Sequence, residues 1–238
     1  MKALVTGGEG GLGRAIRARL EAEGYDVESL DLVTGFDVSD PAAWERIGPV
    51  DVACLNAGVL TGAADPRELT VDRYRRAVAV NVDGVVLGVM RLARVMARGS
   101  IVVTASLAGL TAMPSDPVYS LTKHALVGFV RSAAPLLAPL RLNAVCPGIA
   151  DTPMIDAQRD AFAAAGFPLL APEEVAEAVW LAATSPGTGE CWFVQPGREP
   201  GVFRFPSVPG PRRGGERVGE PPETVSRLRR ETVSNDAS

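Results

Sequence analysis

Residues 2–20 read KALVTGGEGGLGRAIRARL, and this stretch decides the fold. Its first five residues form an apolar run that predicts a strand, and residues 11–23 place apolar side chains at helical spacing. The glycines between them predict a tight turn in which backbone N–H groups and the start of the helix face a pyrophosphate. Side chains in the turn would block that approach. The stretch therefore predicts the first strand, turn and helix of a dinucleotide-binding unit.

An aspartate ends the second predicted strand, residues 25–31. Asp31 lies 18 residues beyond Gly13, where a carboxylate is expected to bind the hydroxyls of the adenosine ribose. The same carboxylate repels the 2′-phosphate of NADP, and neither Gly10 nor Leu32 supplies a cation for that phosphate. The sequence therefore favours NAD as the cofactor, and Arg14 is close enough to keep NADP as the alternative.

Strands and helices alternate along most of the chain. Further strands are predicted at residues 50–55, 100–105, 141–146 and 191–194, the last of these being the final strand. Helices are predicted at residues 41–47, 71–97, 118–137 and 172–183, with a break near Asn81 to Gly84. This alternation predicts an α/β fold with a doubly wound parallel sheet, the Rossmann fold, because right-handed crossovers cover both faces of the sheet.

The composition changes near Arg198, where proline, glycine and arginine become common. Residues 1–197 are therefore predicted to form one NAD-binding catalytic domain, and residues 198–238 an irregular C-terminal arm. A short helix is predicted at residues 223–233, because two prolines directly precede it. We expect the arm to wrap a neighbouring subunit, to cover the active site or to remain disordered, and the sequence leaves these alternatives open.

Composition and charge exclude several classes of protein. The 238 residues suffice for one α/β domain, and a net charge of −4 argues against nucleic acid as the main partner. The single histidine, His124, excludes a metal centre with several histidine ligands. Three widely separated cysteines in apolar runs predict buried free thiols in a reducing compartment. The sequence shows no signal peptide and no apolar run of roughly 20 residues, so we expect a cytoplasmic enzyme without membrane contact.

Seven short motifs follow one another along the chain. They are Thr6-Gly7 with Gly11 and Gly13, Asp37-Val38, Asn56-Ala57-Gly58, Asn81 with Gly84, Ser106, Tyr119 with Lys123, and Pro147-Gly148 with Thr152. In this order they resemble the motifs of the short-chain dehydrogenase/reductase family, in its compact single-domain branch. The chain departs from the family pattern by a shortened segment between Asp37 and Asn56, and by the arm after Arg198.

The resemblance implies an oxidoreductase that transfers a hydride between NAD(H) and a secondary alcohol or ketone. It also implies that the cofactor is contacted by the glycine-rich turn, by Asp31 and by the motifs near the adenine and nicotinamide rings. The residues concerned are Gly7, Gly11, Leu12, Gly13, Asp31, Asp37, Val38, Asn56, Ala57, Gly58, Tyr119, Lys123, Pro147, Gly148 and Thr152. Family members commonly form homodimers or homotetramers, which here implies pairing through the helices at residues 85–97 and 119–137.

The same resemblance makes Asn81, Ser106, Tyr119 and Lys123 the catalytic residues. Oxidation of an alcohol needs a base, and a tyrosine with an ordinary pKa of about 10 is a poor base at neutral pH. Lys123 lies one helical turn from Tyr119, so its ammonium and the cationic nicotinamide are expected to lower the pKa of Tyr119. Ser106 is expected to hold the substrate oxygen, and Asn81 to place a water that links Lys123 to solvent. His124 is predicted to be structural.

The substrate is expected to be a small alcohol or carbonyl compound that is mainly apolar. The resemblance places the pocket between the residues after Ser106 and the loop after Gly148. These segments supply Leu107, Leu110, Met113, Met154, Ile155, Phe162, Phe167 and Leu169. Arg159 in the same loop is expected to lie in solvent rather than to bind an acidic group.

Two other functions compete with a dehydrogenase or reductase. A non-catalytic NAD-binding regulator that senses redox state would keep the fold but would usually lack the tyrosine or the lysine, and this chain keeps both. A sugar-nucleotide epimerase of the extended branch would fit the turn when it is matched as Thr6-Gly7-x-x-Gly10-x-x-Gly13. Enzymes of that branch are longer and carry a separate substrate-binding region, for which this chain has little room.

Overall fold

A seven-stranded sheet forms the centre of Met1–Phe203, the first of two compact units. The computed structural model describes residues 1–207, 209, 212–214 and 216–217. In their order across the sheet, the strands are β2 (Asp26–Leu30), β1 (Lys2–Thr6), β3 (Val52–Leu55), β4 (Gly99–Thr104), β5 (Leu140–Pro147), β6 (Cys191–Val194) and β7 (Gly201–Val202). The first six run parallel to their neighbours. The seventh is antiparallel to β6.

Helices pack on both faces of this sheet. They are α1 (Gly11–Ala22), α2 (Pro41–Trp44), α3 (Val71–Val78), α4 (Gly84–Val95), α5 (Pro117–Ala133), α6 (Arg159–Ala164) and α7 (Pro172–Thr184). On one face, α1 and α7 bury a cluster of apolar side chains that includes Val5, Cys54 and Val102. On the other face α4 comes close to Leu55, whose side chain points away from that of Cys54. The predicted doubly wound, mainly parallel α/β sheet is confirmed.

The order of the strands places a crevice at the carboxyl ends of β1 and β3. From β1 the chain first moves outward to β2, and then returns to β3 and continues to the other edge. Ligands of open α/β sheets bind where the direction reverses in this way. The glycine-rich turn follows β1, and Asn56 follows β3, so both lie at this point.

The first half of the sheet is one strand shorter than the usual order 3-2-1-4-5-6 of this fold. After β2 the chain passes through a 3₁₀ turn, Leu32–Thr34, directly to Phe36. The Phe36 and Trp44 rings then pack edge to face with centres 5.1 Å apart, and the indole nitrogen of Trp44 donates to the Val38 carbonyl at 2.8 Å. These contacts close the flank of the domain and leave β2 as the edge strand.

Two predictions about secondary structure are wrong. The predicted break near Asn81 is a π-helical turn, Ala79–Asp83, through which α3 continues into α4. The strand Cys191–Val194 is not the final one, because Trp192 pairs with Val202 in β7 and the Phe203 N–H donates to the Cys191 carbonyl at 2.7 Å. Strand β7 lies beyond the predicted domain boundary at residue 197, and its two residues are too few to be predicted from an alternating pattern.

The second unit, Arg204–Ser238, contains a separate two-stranded sheet, β8 (Arg212–Arg213) with β9 (Glu216–Arg217). The predicted helix at residues 223–233 lies outside the described residues. In the part of the chain that the structure describes, every helix is too short or too polar to traverse a bilayer. The three cysteines are free and buried, as predicted.

Candidate active site

A cleft of about 1540 Å³ runs along the carboxyl edge of the sheet. Asp31 lines one part of it, and Ser106, Tyr119 and Lys123 line another. Its volume exceeds the roughly 300–1000 Å³ of a pocket for one small molecule. The cleft therefore has room for a dinucleotide together with a substrate.

The glycine-rich turn is so tight that side chains at some of its glycines would clash with the protein's own backbone, even without a ligand. Gly7 has a φ of +64°, and a Cβ atom on Gly13 would lie 1.9 Å from the Gly7 carbonyl oxygen. No side chain caps the start of α1, so the first N–H groups of that helix lack side-chain acceptors, and Gly11, Leu12 and Gly13 line the cleft. This arrangement fits the pyrophosphate of a dinucleotide.

The carboxylate of Asp31 is held at the cleft by two backbone groups. Its Oδ2 accepts from the Glu9 N–H and its Oδ1 from the Val33 N–H, each at 3.1 Å. The carboxylate of Glu9 is bound by the Ser29 hydroxyl at 2.6 Å and by Arg17 at 2.5 Å. A carboxylate oxygen accepts more than one hydrogen bond, so Asp31 keeps acceptor capacity for hydroxyl groups of a ribose.

The ends of β1 and β3 are joined beneath the expected position of the adenine ring. The Thr6 hydroxyl accepts from the backbone N–H groups of Asn56 at 2.9 Å and Ala57 at 3.1 Å. Asp37 accepts from the Ser39 N–H at 2.8 Å, which fixes the turn that presents the buried Val38. Both motifs, together with Gly58, line the cleft.

The nicotinamide-side motif lies where β5 ends. The Gly148 N–H donates to the Val194 carbonyl at 2.9 Å, which holds the end of β5 beside β6. A Cβ atom on Gly11 would lie 2.7 Å from Thr152, so the loop after β5 comes close to the glycine-rich turn. Pro147, Gly148 and Thr152 all line the cleft.

Tyr119 and Lys123 lie in the first two turns of α5, and both are buried. Their side chains are 9% and 3% exposed, and the Lys123 Nζ atom is 5.4 Å from the centre of the Tyr119 ring. The same nitrogen donates to the Thr104 carbonyl at 2.8 Å. Ser106 follows β4 and lines the same cleft, where its side chain lowers the pKa of Tyr119. The structure therefore brings together the three residues that the sequence predicted to meet.

Burial dominates the protonation of this pair. It raises the pKa of Tyr119 to about 12, with smaller contributions in the same direction from Asp116 and Cys146, and the hydrogen bond with Ser106 lowers it. Burial also lowers the pKa of Lys123 to about 8. In the protein without a cofactor the pKa of Tyr119 is therefore raised by burial. The lowering expected from Lys123 together with the cationic nicotinamide stays a prediction for the complex with NAD.

Asn81 uses its side chain to hold the protein together. It is fully buried in the π-helical turn, where its Oδ1 accepts from the Val59 N–H at 2.8 Å. Its Nδ2 donates to the Val59 carbonyl at 2.9 Å and to the Thr122 hydroxyl at 3.0 Å. These bonds link the loop after Gly58 to α5 and use both N–H groups of the side-chain amide.

The wall beyond Ser106 is mainly apolar. Leu107, Met113, Met154, Ile155, Phe162 and Phe167 line the cleft as predicted, whereas Leu110 and Leu169 do not. Arg159 does not line the cleft; its side chain is 41% exposed and forms ion pairs with Asp151 and Asp156. The exposed His124 contacts the Ser120 carbonyl of its own helix at 2.9 Å, in line with the structural role predicted for it.

A family model described as short chain dehydrogenase matches residues 40–162. The chain belongs to the short-chain dehydrogenase family. It is 33% identical over 189 residues to levodione reductase from Leifsonia aquatica, which covers 64% of this chain and 70% of that protein. It is 33% identical over 215 residues to cis-4-hydroxycyclohexanecarboxylate dehydrogenase from Sinomonas cyclohexanicum, which covers 74% of this chain and 86% of that protein.

A solved structure shares the same architecture. It is a 3-ketoacyl-(acyl-carrier-protein) reductase from Brucella melitensis complexed with NADH, with a TM-score of 0.71 and 26% identity. The match covers 83% of this chain and 98% of that one. The predicted family and reaction class are thereby confirmed: this short-chain dehydrogenase is an oxidoreductase that acts on hydroxyl or carbonyl groups with a nicotinamide cofactor. The comparisons give no support to a non-catalytic regulator.

Three residues of this short-chain dehydrogenase were missed by the sequence motifs. Glu9 supports Asp31, Asp116 caps α5, and Gln195 lines the cleft beside Gly148. Asp116 could have been found, because an aspartate directly before a proline is typical of the residue that caps a helix. The contacts of Glu9 and Gln195 depend on neighbours in other strands, which no local pattern shows.

Proposed function

We propose that this chain is an NAD-dependent dehydrogenase or reductase that interconverts a neutral, largely apolar secondary alcohol and its ketone. One observation carries the proposal: Ser106, Tyr119 and Lys123 meet in the same cleft that Asp31 lines. One cleft then offers a carboxylate for a ribose and a proton-transfer group for a substrate.

The charges around the turn after β1 favour NAD over NADP. Asp31 directs its carboxylate at the cleft, and a 2′-phosphate beside it would meet like charge. The nearby arginines are engaged by Glu9: Arg17 binds its carboxylate at 2.5 Å, and Arg14 binds its backbone carbonyl at 2.5 Å. To bind the 2′-phosphate of NADP, one of these arginines would have to leave Glu9. The carboxylate of Asp31 would still repel the phosphate.

Tyr119 is proposed to move the proton of the substrate hydroxyl. NAD, when bound, supplies the acceptor or donor of the hydride and, in its oxidised form, a positive charge. Ser106 donates a hydrogen bond to the substrate oxygen. During oxidation the tyrosinate form of Tyr119 accepts the proton of the substrate hydroxyl, and during reduction the neutral phenol donates that proton to the carbonyl oxygen. Lys123, with its pKa near 8, exchanges protons at neutral pH and stabilises the tyrosinate when protonated.

The wall of the substrate end indicates an uncharged substrate. The lining residues drawn from 107–115, from 148–167 and from Gln195 include no lysine or arginine. The side-chain amide of Gln195 has no hydrogen-bond partner among the described residues, and its oxygen lies 2.7 Å from the position of a Cβ atom on Gly148. We propose that this amide binds a second neutral oxygen of the substrate, such as a second carbonyl or hydroxyl group.

A panel of secondary alcohols and ketones, followed through NADH absorbance, tests this function. We expect turnover of neutral cyclic or branched ketones with NADH, at a kcat/KM at least tenfold above that with NADPH. No turnover of any member with either cofactor would contradict the proposal, and faster turnover with NADPH would contradict the choice of NAD.

Assembly and compartment are also proposals. The exposed Met90 on α4 and Leu121 on α5 support pairing with a second copy of the chain, as a homodimer or homotetramer. Light scattering that gives the mass of one chain would contradict this. Three free, buried cysteines fit a reducing compartment, which for this enzyme we propose to be the cytoplasm.

A further inference from the structure

Asp116 is a buried carboxylate with four hydrogen-bond donors around it. The residue is 3% exposed, and its Oδ1 accepts from the Thr61 hydroxyl at 2.6 Å and from the Tyr119 backbone N–H at 2.9 Å. Its Oδ2 accepts from the backbone N–H groups of Thr61 at 2.7 Å and Gly62 at 3.1 Å. Burying a carboxylate is costly unless hydrogen bonds replace the lost water, and here the protein supplies all of them.

These bonds join two segments that both border the cleft. One is the loop after Gly58, in which Val59, Leu60 and Gly62 line the cleft. The other is the first turn of α5, which carries Tyr119. Asn81 holds the near end of the same loop through Val59, so Asp116 supplies the second attachment, at Thr61 and Gly62.

We propose that Asp116 is a positioning residue that fastens this loop to the start of α5 and so fixes Tyr119 relative to the wall of the cleft. The inference rests on the proposed role of Tyr119 in proton transfer. Capping a helix alone would not require it, since a cap needs one acceptor for one or two N–H groups, whereas three of the four donors to Asp116 belong to the loop.

The negative charge of Asp116 should also affect the deprotonation of Tyr119, and hence the pH dependence of catalysis. A merely structural residue would not change that pH dependence. The groups that act on Tyr119 are Ser106 after β4, Cys146 in β5, Lys123 in the same helix and Asp116 at its start. A negative charge disfavours the tyrosinate, and Asp116 is one of the groups that raise the pKa of Tyr119. Replacing the carboxylate by an amide should therefore make Tyr119 easier to deprotonate while weakening the loop attachment.

The test measures kcat/KM for oxidation of a secondary alcohol with NAD, as a function of pH, in the full chain. Asp116→Asn keeps the shape of the side chain and the oxygen that caps α5. It places an amide nitrogen, which cannot accept a hydrogen bond, where a carboxylate oxygen now accepts from N–H groups. We expect kcat/KM to fall about tenfold and the ascending limb of its pH profile, which reports the deprotonation of Tyr119, to move to lower pH by about 0.5 unit. Thr61→Val, which removes one donor and keeps the charge, should lower kcat/KM about threefold and leave the limb in place.

Wild-type kcat/KM and an unmoved limb in Asp116→Asn would overturn the inference, as would a lower melting temperature as its only change. If Asp116→Asn does not fold, wild-type kinetics in Thr61→Val overturn it instead. Tyr119→Phe is measured alongside to separate the two proposals. Turnover in Tyr119→Phe refutes the proposed function, whereas an inactive Tyr119→Phe beside an unaffected Asp116→Asn refutes only the role of Asp116.

Discussion

The Nζ atom of Lys123 lies 5.4 Å from the centre of the Tyr119 ring, and both side chains are buried. Burial lowers the pKa of the lysine to about 8 and raises that of the tyrosine to about 12. The folded protein therefore holds both groups closer to their neutral forms than water would. Such opposed shifts are common where a protein prepares a site for proton transfer.

The first prediction follows from the buried lysine. Its pKa of about 8 lies below the ordinary 10.5, so between these values the unfolded chain binds a proton that the folded chain lacks, and the free energy of unfolding rises with pH. We expect Lys123→Met to be inactive yet more stable than wild type at pH 7, by roughly 1–3 kcal/mol.

Urea denaturation at pH 7 and at pH 9.5 measures this effect. The gain should shrink at the higher pH, because the wild-type lysine then costs less to bury. Lys2→Met is the matched control, since Lys2 is exposed and its removal should leave stability nearly unchanged. A Lys123→Met protein that is less stable than wild type at pH 7 would contradict the assignment of a burial cost to this ammonium.

Cofactor choice is predicted to depend on Asp31. The double variant Asp31→Ala, Leu32→Arg removes the carboxylate and adds a cation beside the cleft, where Leu32 is exposed. The ratio of kcat/KM for NAD to that for NADP should fall about a hundredfold, because two charge-assisted hydrogen bonds to the ribose are lost. Val33→Arg adds the same charge away from the cleft and serves as the control. An unchanged ratio in the double variant would rule out the ribose role.

Substrate selection is predicted to depend on Gln195. Gln195→Leu should lower kcat/KM about tenfold for cyclohexane-1,4-dione and change it less than threefold for cyclohexanone, which lacks the second oxygen. The exposed Gln158, also on the wall, is the control, and Gln158→Leu should treat both ketones alike. Equal losses of kcat/KM for the two ketones in Gln195→Leu would show that the amide supports the wall of the cleft and does not bind the second oxygen of the substrate.

The turn after β1 is predicted to tolerate no side chain at Gly13. A Cβ atom there would lie 1.9 Å from the Gly7 carbonyl oxygen, so Gly13→Ala must displace backbone. We expect it to destabilise the protein by about 2–4 kcal/mol and to weaken NAD binding. Gly48→Ala, where a Cβ atom would meet nothing within 4 Å, should change the free energy of unfolding by less than about 0.5 kcal/mol. A thermal melt of Gly13→Ala that agrees with those of wild type and Gly48→Ala would contradict the packing of the turn.

Local patterns were enough to predict the parts of the site that lie close together in the sequence. The strand, turn and helix at residues 2–20 follow from spacing alone, and Tyr119 and Lys123 share a helix face because they are four residues apart. Their partner Ser106 was predicted from a family motif and lies directly after strand β4.

The features that were missed depend on contacts between distant segments or on the cost of burial. Asp116 meets Thr61 across 55 residues, and β7 exists through pairing with β6. The apparent helix break at Asn81 is a π-helical turn, in which the buried amide accepts a hydrogen bond from Val59 in a distant loop. The raised pKa of Tyr119 in the protein without a cofactor was missed, since the sequence shows the nearby lysine but not the depth of burial.

The central claim is that Tyr119 transfers the substrate proton, and Tyr119→Phe tests it most directly. Turnover of a neutral ketone is followed through NADH absorbance, and NADH binding is measured by fluorescence titration of the same preparation. We expect a loss of turnover of at least a thousandfold, with NADH affinity within about threefold of wild type. Turnover within tenfold of wild type, at equal NADH affinity, would contradict it.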